Sequence, residues 1–302
     1  MKILAGVLTY NRLNLLKRCL HNIYNQSLKP TDILVINNGS TDGTKDFLNQ
    51  NKDIVKINKN KSGSAEGWFE MINYALIHNY DYIWMMDDDG YPAFNSLEKL
   101  AKNISPKHAC LSSVVVNEIQ TSKLVFAMPT SIFNNNKYKI NYFFKINNIN
   151  KLRSLCKDKI LNHCHLFNGS LINMKSIRYV GNVDRQFYHH GVEVDFYLRL
   201  KKAGCVDSYL EAFHYHPDVA KRKINNLWIY YYIKNSMIIN YKYMNMPFLR
   251  NFYVLIKFFV RLFLRNGIKN SFHILINFKD KIVFRAIIDG YLNKLGATYI
   301  EK

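Results

Sequence analysis

"YDYIWMMDDDG" (residues 80–90) runs an apolar stretch directly into three adjacent carboxylates, Asp87, Asp88 and Asp89, followed by Gly90. The apolar part is too short for a typical helix and reads as a buried strand, with Asp-Gly as the turn that ends it. Three anions side by side at the end of a buried strand repel one another with little screening. The triplet is therefore either a solvated turn or a site completed by a cation. Hard divalent ions such as Mg²⁺ or Mn²⁺ take carboxylate oxygens and commonly share them with substrate phosphates.

The flanking sequence alternates strands with helices. "ILAGVLTY" (3–10) leads into "NLLKRCLHNIYNQ", where Leu15, Leu16, Cys19, Leu20, Ile23 and Tyr24 recur at helical spacing. "DILVINNG" (32–39) and "DIVKIN" (53–58) predict two more strands, each followed by a helical segment. Strands separated by helices imply crossovers and a parallel sheet covered on both faces. The expected fold is α/β, a mostly parallel sheet with helices on both faces plus a C-terminal helical extension. Ligands of such sheets bind beyond the carboxyl ends of the strands. That rule brings residues 9–12, 37–42, 60–67 and 87–89 to one edge.

Further along, residues 130–160 are rich in Asn and Lys without a period and read as an insertion or mobile loop. "GVEVDFYLRLKKAG" predicts a helix with Val194, Leu198 and Ala203 on one face, and "VDSYLEAFHYH" (206–216) a strand. The expected domains are a catalytic domain over 1–223, with a nucleotide-binding half (1–120) and an acceptor half (121–223), and a basic helical region over 224–302.

Composition narrows the class. A 302-residue chain that is 48% hydrophobic and 21% charged is globular. Its five cysteines include no CxxC pair, which argues for reduced thiols and against a disulfide framework. Cys164 lies between His163 and His165, but no second cluster completes a zinc set. The amino terminus mimics a short signal peptide, yet Asn11, Arg12 and Asn14 interrupt it, so it reads as a first buried strand. No apolar run reaches the roughly 18 residues of a membrane span. The net charge of +20 points to an anionic partner. Nucleic acid fits poorly, because the carboxylates gather where a ligand would sit.

"TYNR", "NNGSTDGT", "GSAEGW", "WMMDDD", "GVEVDFYLR" and "YYYIKN" follow one another in an order that resembles the inverting family 2 glycosyltransferases of the GT-A fold. Within that family the wording is similar to bacterial galactofuranosyl and rhamnosyl transferases. The resemblance covers about residues 1–236. It implies a metal-dependent transfer of a sugar from a nucleotide-diphosphate donor (UDP-galactofuranose, UDP-hexose or dTDP-rhamnose) to a glycan or lipid-linked acceptor. The implied setting is surface polysaccharide synthesis, capsule or O-antigen, at the cytoplasmic face of the membrane.

Carried over by position, the resemblance gives Thr9, Tyr10, Asn11, Arg12, Asn38, Gly63, Asp87, Asp88 and Lys234 to the nucleotide. Lys234 would neutralise the leaving diphosphate. Asp87, Asp89 and His216 would bind Mn²⁺ or Mg²⁺, with His214 as the alternative to His216. Glu193 matches the place of the catalytic base and Asp195 an acceptor contact, and which of the two is the base stays open. A sugar nucleotidyltransferase is the rival reading, but no Gly-rich loop with Arg and Lys follows the first strand.

"PFLRNFYVLIKFFVRLFLRNG" (247–267) carries Lys257, Arg261 and Arg265 at four-residue intervals against Phe, Leu, Ile and Val. That pattern fits a helix lying on an anionic membrane surface. A packed helical subdomain or a homo-oligomer contact reads the same residues differently.

Overall fold

The computed structural model describes residues 1–129, 145–156, 158–219, 222–276 and 281–299. Its residues fall into two compact units. The first comprises Met1–Ser62, Gly67–Asn182 and Arg199–Asp218; the second comprises Gly63–Glu66, Val183–Leu198 and Val219–Lys302.

The first unit opens with β1 (Ile3–Thr9), α1 (Leu13–Tyr24), β2 (Asp32–Asn37), α2 (Thr44–Gln50) and β3 (Ile54–Asn58). Then come α3 (Ser64–Ile77), β4 (Tyr82–Asp87), β5 (Tyr91–Pro92), α4 (Ser96–Asn103), β6 (His108–Asn117) and β7 (Lys123–Pro129). It continues through β8 (Lys145–Asn148), α5 (Ile149–Leu155), β9 (Ile160–Leu161), β10 (Asn168–Asn173), α6 (Met174–Val180), α7 (Val192–Ala203) and β11 (Cys205–His216). α3 and α7 each carry one end in the second unit.

The sheet runs β3-β2-β1-β4-β10-β6-β11-β5. β1 pairs parallel with β2 and β4, and β2 parallel with β3. β10 lies antiparallel between β4 and β6, and β11 returns parallel to β6. Register places the site. Thr9 is opposite Asn37, Asn37 opposite Asn58, and Leu8 opposite Asp87, so the four strands end together and their loops leave from one edge.

β1 is buried at all seven positions, as a strand covered on both faces must be. On one side α1 packs Leu16, Cys19, Leu20 and Ile23 against Val7, Val35 and Trp84. Tyr24, expected on that face, is instead exposed. The low-period stretch expected as a loop is partly regular. Its residues 145–155 form β8 and α5, with the Asn148 side chain accepting from the Asn150 and Lys151 N–H groups. That cap satisfies donors that a helix start leaves open. Residues 130–144 lie outside the described residues.

The second unit contains α8 (Asn226–Tyr243), α9 (Pro247–Ile276) and α10 (Ile282–Tyr291). Tyr230, Tyr231 and Ile233 of α8 pack with Phe258 and Leu262 of α9 and with Ile282 and Ala286 of α10. α9 breaks at Gly267, whose φ of 74° and ψ of 166° no helix accommodates. On α9, Phe248, Leu249, Phe252, Ile256, Val260 and Leu264 are exposed. Among the described residues, no helix is long and apolar enough to cross a membrane.

Candidate active site

The turn after β1 is shaped by Asn11, whose φ of 51° is left-handed, a region Asn tolerates better than most residues. Its N–H donates to Ser40 Oγ at 2.9 Å, and its Oδ1 accepts from the Thr41 N–H at 2.7 Å. The Leu13 N–H donates to Asp42 Oδ2 at 2.9 Å. The β1 and β2 loops are thereby locked together, and Arg12, at the start of α1, turns toward the carboxylates.

Arg12 Nη1 lies 3.0 Å from Asp88 Oδ1 and 3.0 Å from Asp89 Oδ2. Thr9 Oγ1 donates to Asp88 Oδ2 at 2.6 Å. Asp88 is buried, and burial raises its pKa against the opposing pull of Thr9 and Arg12. Burial alone would lower the pKa of Arg12, but the charges of Asp88, Asp89 and Asp87 outweigh it and fix the guanidinium in its charged form. Arg18, invisible as a site residue in the sequence, donates to the Asp89 carbonyl at 2.9 Å and to Glu118 Oε2 at 2.7 Å.

The remaining oxygen of Asp89, Oδ1, is 3.1 Å from His216 Nε2. His216 Nδ1 is 2.7 Å from the Pro217 carbonyl, to which it must donate. With Nδ1 so occupied, Nε2 facing a carboxylate oxygen needs a proton or a cation between them. Two neighbouring ligands of an octahedral ion, each about 2.1 Å from it, stand about 3 Å apart. Asp89 and His216 are at that spacing already, and a carbonyl behind the imidazole is the usual support of a metal-bound histidine. The donor pair thus fits a divalent ion. Among the described residues no set of three or more His, Cys, Asp or Glu side chains is gathered to hold one, so Asp87 does not complete the expected triad in this arrangement.

His214 settles apart from this pair. It is fully buried, with Gly90 and Gly169 pressed against its ring, and neither ring nitrogen has a hydrogen-bond partner. Burial drives its pKa down to about 3, so it stays neutral. Trp68 stacks on Phe167 at 4.3 Å and Trp84 is fully buried, both as core residues.

Two expected nucleotide contacts have other work. The Asn38 amide donates from Nδ2 to the Ser62 carbonyl at 2.8 Å, and its Oδ1 accepts from Ser62 Oγ at 2.8 Å. Asn38 therefore ties the β2 loop to the β3 loop. Gly63 is required by a backbone approach to Tyr188: an added Cβ would stand 2.0 Å from the Tyr188 carbonyl oxygen. Tyr10 is exposed, with Lys61 Nζ 5.2 Å from its ring.

In the second unit, Asp195 is fully buried. Lys242 Nζ donates to its Oδ1 at 2.9 Å and Tyr243 Oη donates to the same atom at 2.6 Å. Glu193 is half-buried in the first turn of α7. The helix face differs from the expected one: Val192, Phe196 and Leu200 are buried with Asp195, and Val194 is exposed. A polar residue at an inward position shifts the face, and apolar counting alone misses that. An acceptor contact through Asp195 would have to compete with Lys242 and Tyr243, which leaves Glu193 as the more accessible carboxylate.

Lys234 also departs from expectation. It is fully buried, and Nζ donates to the Gly296 carbonyl at 3.1 Å and to Thr298 Oγ1 at 2.8 Å. The Tyr231 ring lies 4.8 Å from the ammonium. Burial lowers its pKa to about 8. Contact with a diphosphate would require the chain around residues 296–298 to move away.

Residues 5–166 match the family described as Glycosyl transferase family 2. The chain belongs to this family. It is 24% identical to galactofuranosyltransferase GlfT1 of Mycolicibacterium smegmatis over 220 residues, 71% of this chain and 70% of the relative. The GlfT1 protein of Mycobacterium tuberculosis is 23% identical over a similar span. In fold the chain is similar to S. aureus TarS, with a TM-score of 0.56 at 13% identity, covering 97% of this chain and 49% of that one. It is also similar to TarS 1-349 in complex with UDP-GlcNAc (TM-score 0.55, 14% identity, 96% of this chain and 80% of that one). The GT-A type α/β fold read from the motif order is the fold observed.

Proposed function

We propose that this glycosyltransferase moves a sugar, with inversion, from a nucleotide-diphosphate donor to a glycan or lipid-linked glycan acceptor, using Mn²⁺ or Mg²⁺. The observation that carries this reading is the Asp89–His216 pair at ligand spacing on the edge where β1, β2, β3 and β4 end. A divalent ion bound there supplies Lewis acidity for the charge that builds on a departing diphosphate. Thr9, Asn11 and Asn38 shape the strand-end loops that would receive the nucleotide, Tyr10 lies exposed at that edge, and Asp87 and Asp88 add negative charge beneath it. Glu193 is the base that takes the proton from the acceptor hydroxyl. Asp195 holds the start of α7 through Lys242 and Tyr243.

UDP-galactofuranose leads among donors because the GlfT1 proteins are galactofuranosyltransferases by name, with UDP-hexose and dTDP-rhamnose behind it. The exposed apolar residues of α9, bordered by Lys257, Arg261 and Arg265, suit an anionic membrane surface, where a lipid-linked acceptor would be met. A panel of nucleotide sugars tested for thermal stabilisation with and without Mn²⁺ identifies the donor. With that donor, Asp89→Ala should abolish transfer; full turnover by the variant would refute the cation reading.

A further inference from the structure

Arg12 brings a fixed cation into the strand-end cluster. A single nitrogen, Nη1, bridges Asp88 Oδ1 and Asp89 Oδ2 at 3.0 Å each. Both carboxylates are buried, whereas the Arg12 side chain keeps 42% of its surface exposed. One edge of the guanidinium therefore faces inward and the rest faces solvent, with further N–H donors to offer. The turn that aims it is set by Asn11, Ser40 and Asp42 and does not depend on any ligand. When ionised, the three carboxylates and Arg12 sum to a charge of −2, which a divalent ion would balance. Such an ion at Asp89 Oδ1 and His216 Nε2 would lie on the far side of the same carboxylate that Arg12 holds, close enough for the two cations to repel each other.

We propose that Arg12 is a tethered counter-ion: it keeps the cluster folded without metal and holds its affinity for a divalent ion low until a nucleotide diphosphate arrives. The diphosphate would accept from the solvent-facing N–H groups of Arg12 while its oxygens complete the ion's shell. Binding of ion and nucleotide is then coupled, each tightening the other. This inference rests on the reading of Asp89 and His216 as a cation site, and its test separates the two.

Mn²⁺ binding to the full chain is measured by electron paramagnetic resonance and calorimetry, with and without UDP. Without UDP, Arg12→Gln and Arg12→Met should bind Mn²⁺ at least tenfold more tightly than the parent, and Arg12→Lys should match the parent. UDP should tighten Mn²⁺ binding strongly in the parent and several-fold less in Arg12→Gln. Melting in chelator guards against misfolding: Arg12→Gln should melt below the parent and recover more than the parent when Mn²⁺ is added. Unchanged or weaker Mn²⁺ binding by both neutral variants, in a parent that binds Mn²⁺ with UDP, overturns the role of Arg12 alone. A parent that binds no Mn²⁺ even with UDP overturns the cation reading as well.

Discussion

Asp88 in the first unit and Asp195 in the second are buried by the same device, a cation and a hydroxyl, yet they are held differently. Asp88 receives Thr9 on one oxygen and Arg12 on the other, from residues delivered by strand register and a locked turn. Asp195 receives Lys242 and Tyr243 on the same Oδ1. Those two donors sit in the last turn of α8, and terminal turns fray. A charge out of water is tolerable in either place only while its partners stay. Thr9 and Arg12 each take a different oxygen of Asp88, whereas the last turn of α8 brings both Lys242 and Tyr243 to one oxygen of Asp195.

Acid should expose the largest contrast between the units. His163, His165 and His214 of the first unit are held neutral by burial, with pKa values of about 4, 3 and 3. Unfolded histidines titrate near 6.5, so below that pH the unfolded chain binds more protons and stability falls as pH drops toward 4. The three together can cost about 4 kcal/mol per pH unit at the steepest. In the second unit His190 reaches about 4 and His189 is lowered less. Hydrogen exchange from pH 7 to 4 should show the sheet losing protection faster than α8 and α10; equal loss would contradict it.

Removing a cation comes next. Lys242→Met removes the cation that donates to Asp195 Oδ1 and should destabilise by about 3 kcal/mol, measured by urea unfolding. Adding Asp195→Asn to it should recover more than half of that loss. The smallest effect belongs to the hydroxyls. Thr9→Val and Tyr243→Phe each delete one donor to a buried carboxylate, about 1.5–3 kcal/mol apiece. Thr9→Val should sit at the low end, because Arg12 and the Leu8 carbonyl still hold Asp88. If Tyr243→Phe proved the milder of the two, the contrast drawn between the two carboxylates would fail.

The parts of this molecule that could be read from the chain are those written in local period and order. β1 to β4 and the strand-end edge carrying Asp87, Asp88 and Asp89 follow from short apolar runs punctuated by polar turns. What could not be read are partnerships across long separations. Arg12 meets Asp88, and Asn38 meets Ser62, only because the sheet register aligns their strands. Lys242 carries no local sign that it belongs to Asp195. Lys234 kept its motif position, but the chain near Gly296 and Thr298 closes over it, which no motif encodes. Regular structure within 145–155 was hidden because its apolar residues are few and its helix start rests on an asparagine.

At Gly63 no side chain fits. With the Tyr188 oxygen only 2.0 Å from where a methyl would be, even alanine cannot be seated without pushing the 183–198 segment aside. That segment carries both Glu193 and Asp195. The placing of the acidic helix is thus partly inherited from a hydrogen atom far upstream, and drift at this one position would be felt as a displacement of the segment that carries Glu193 and Asp195.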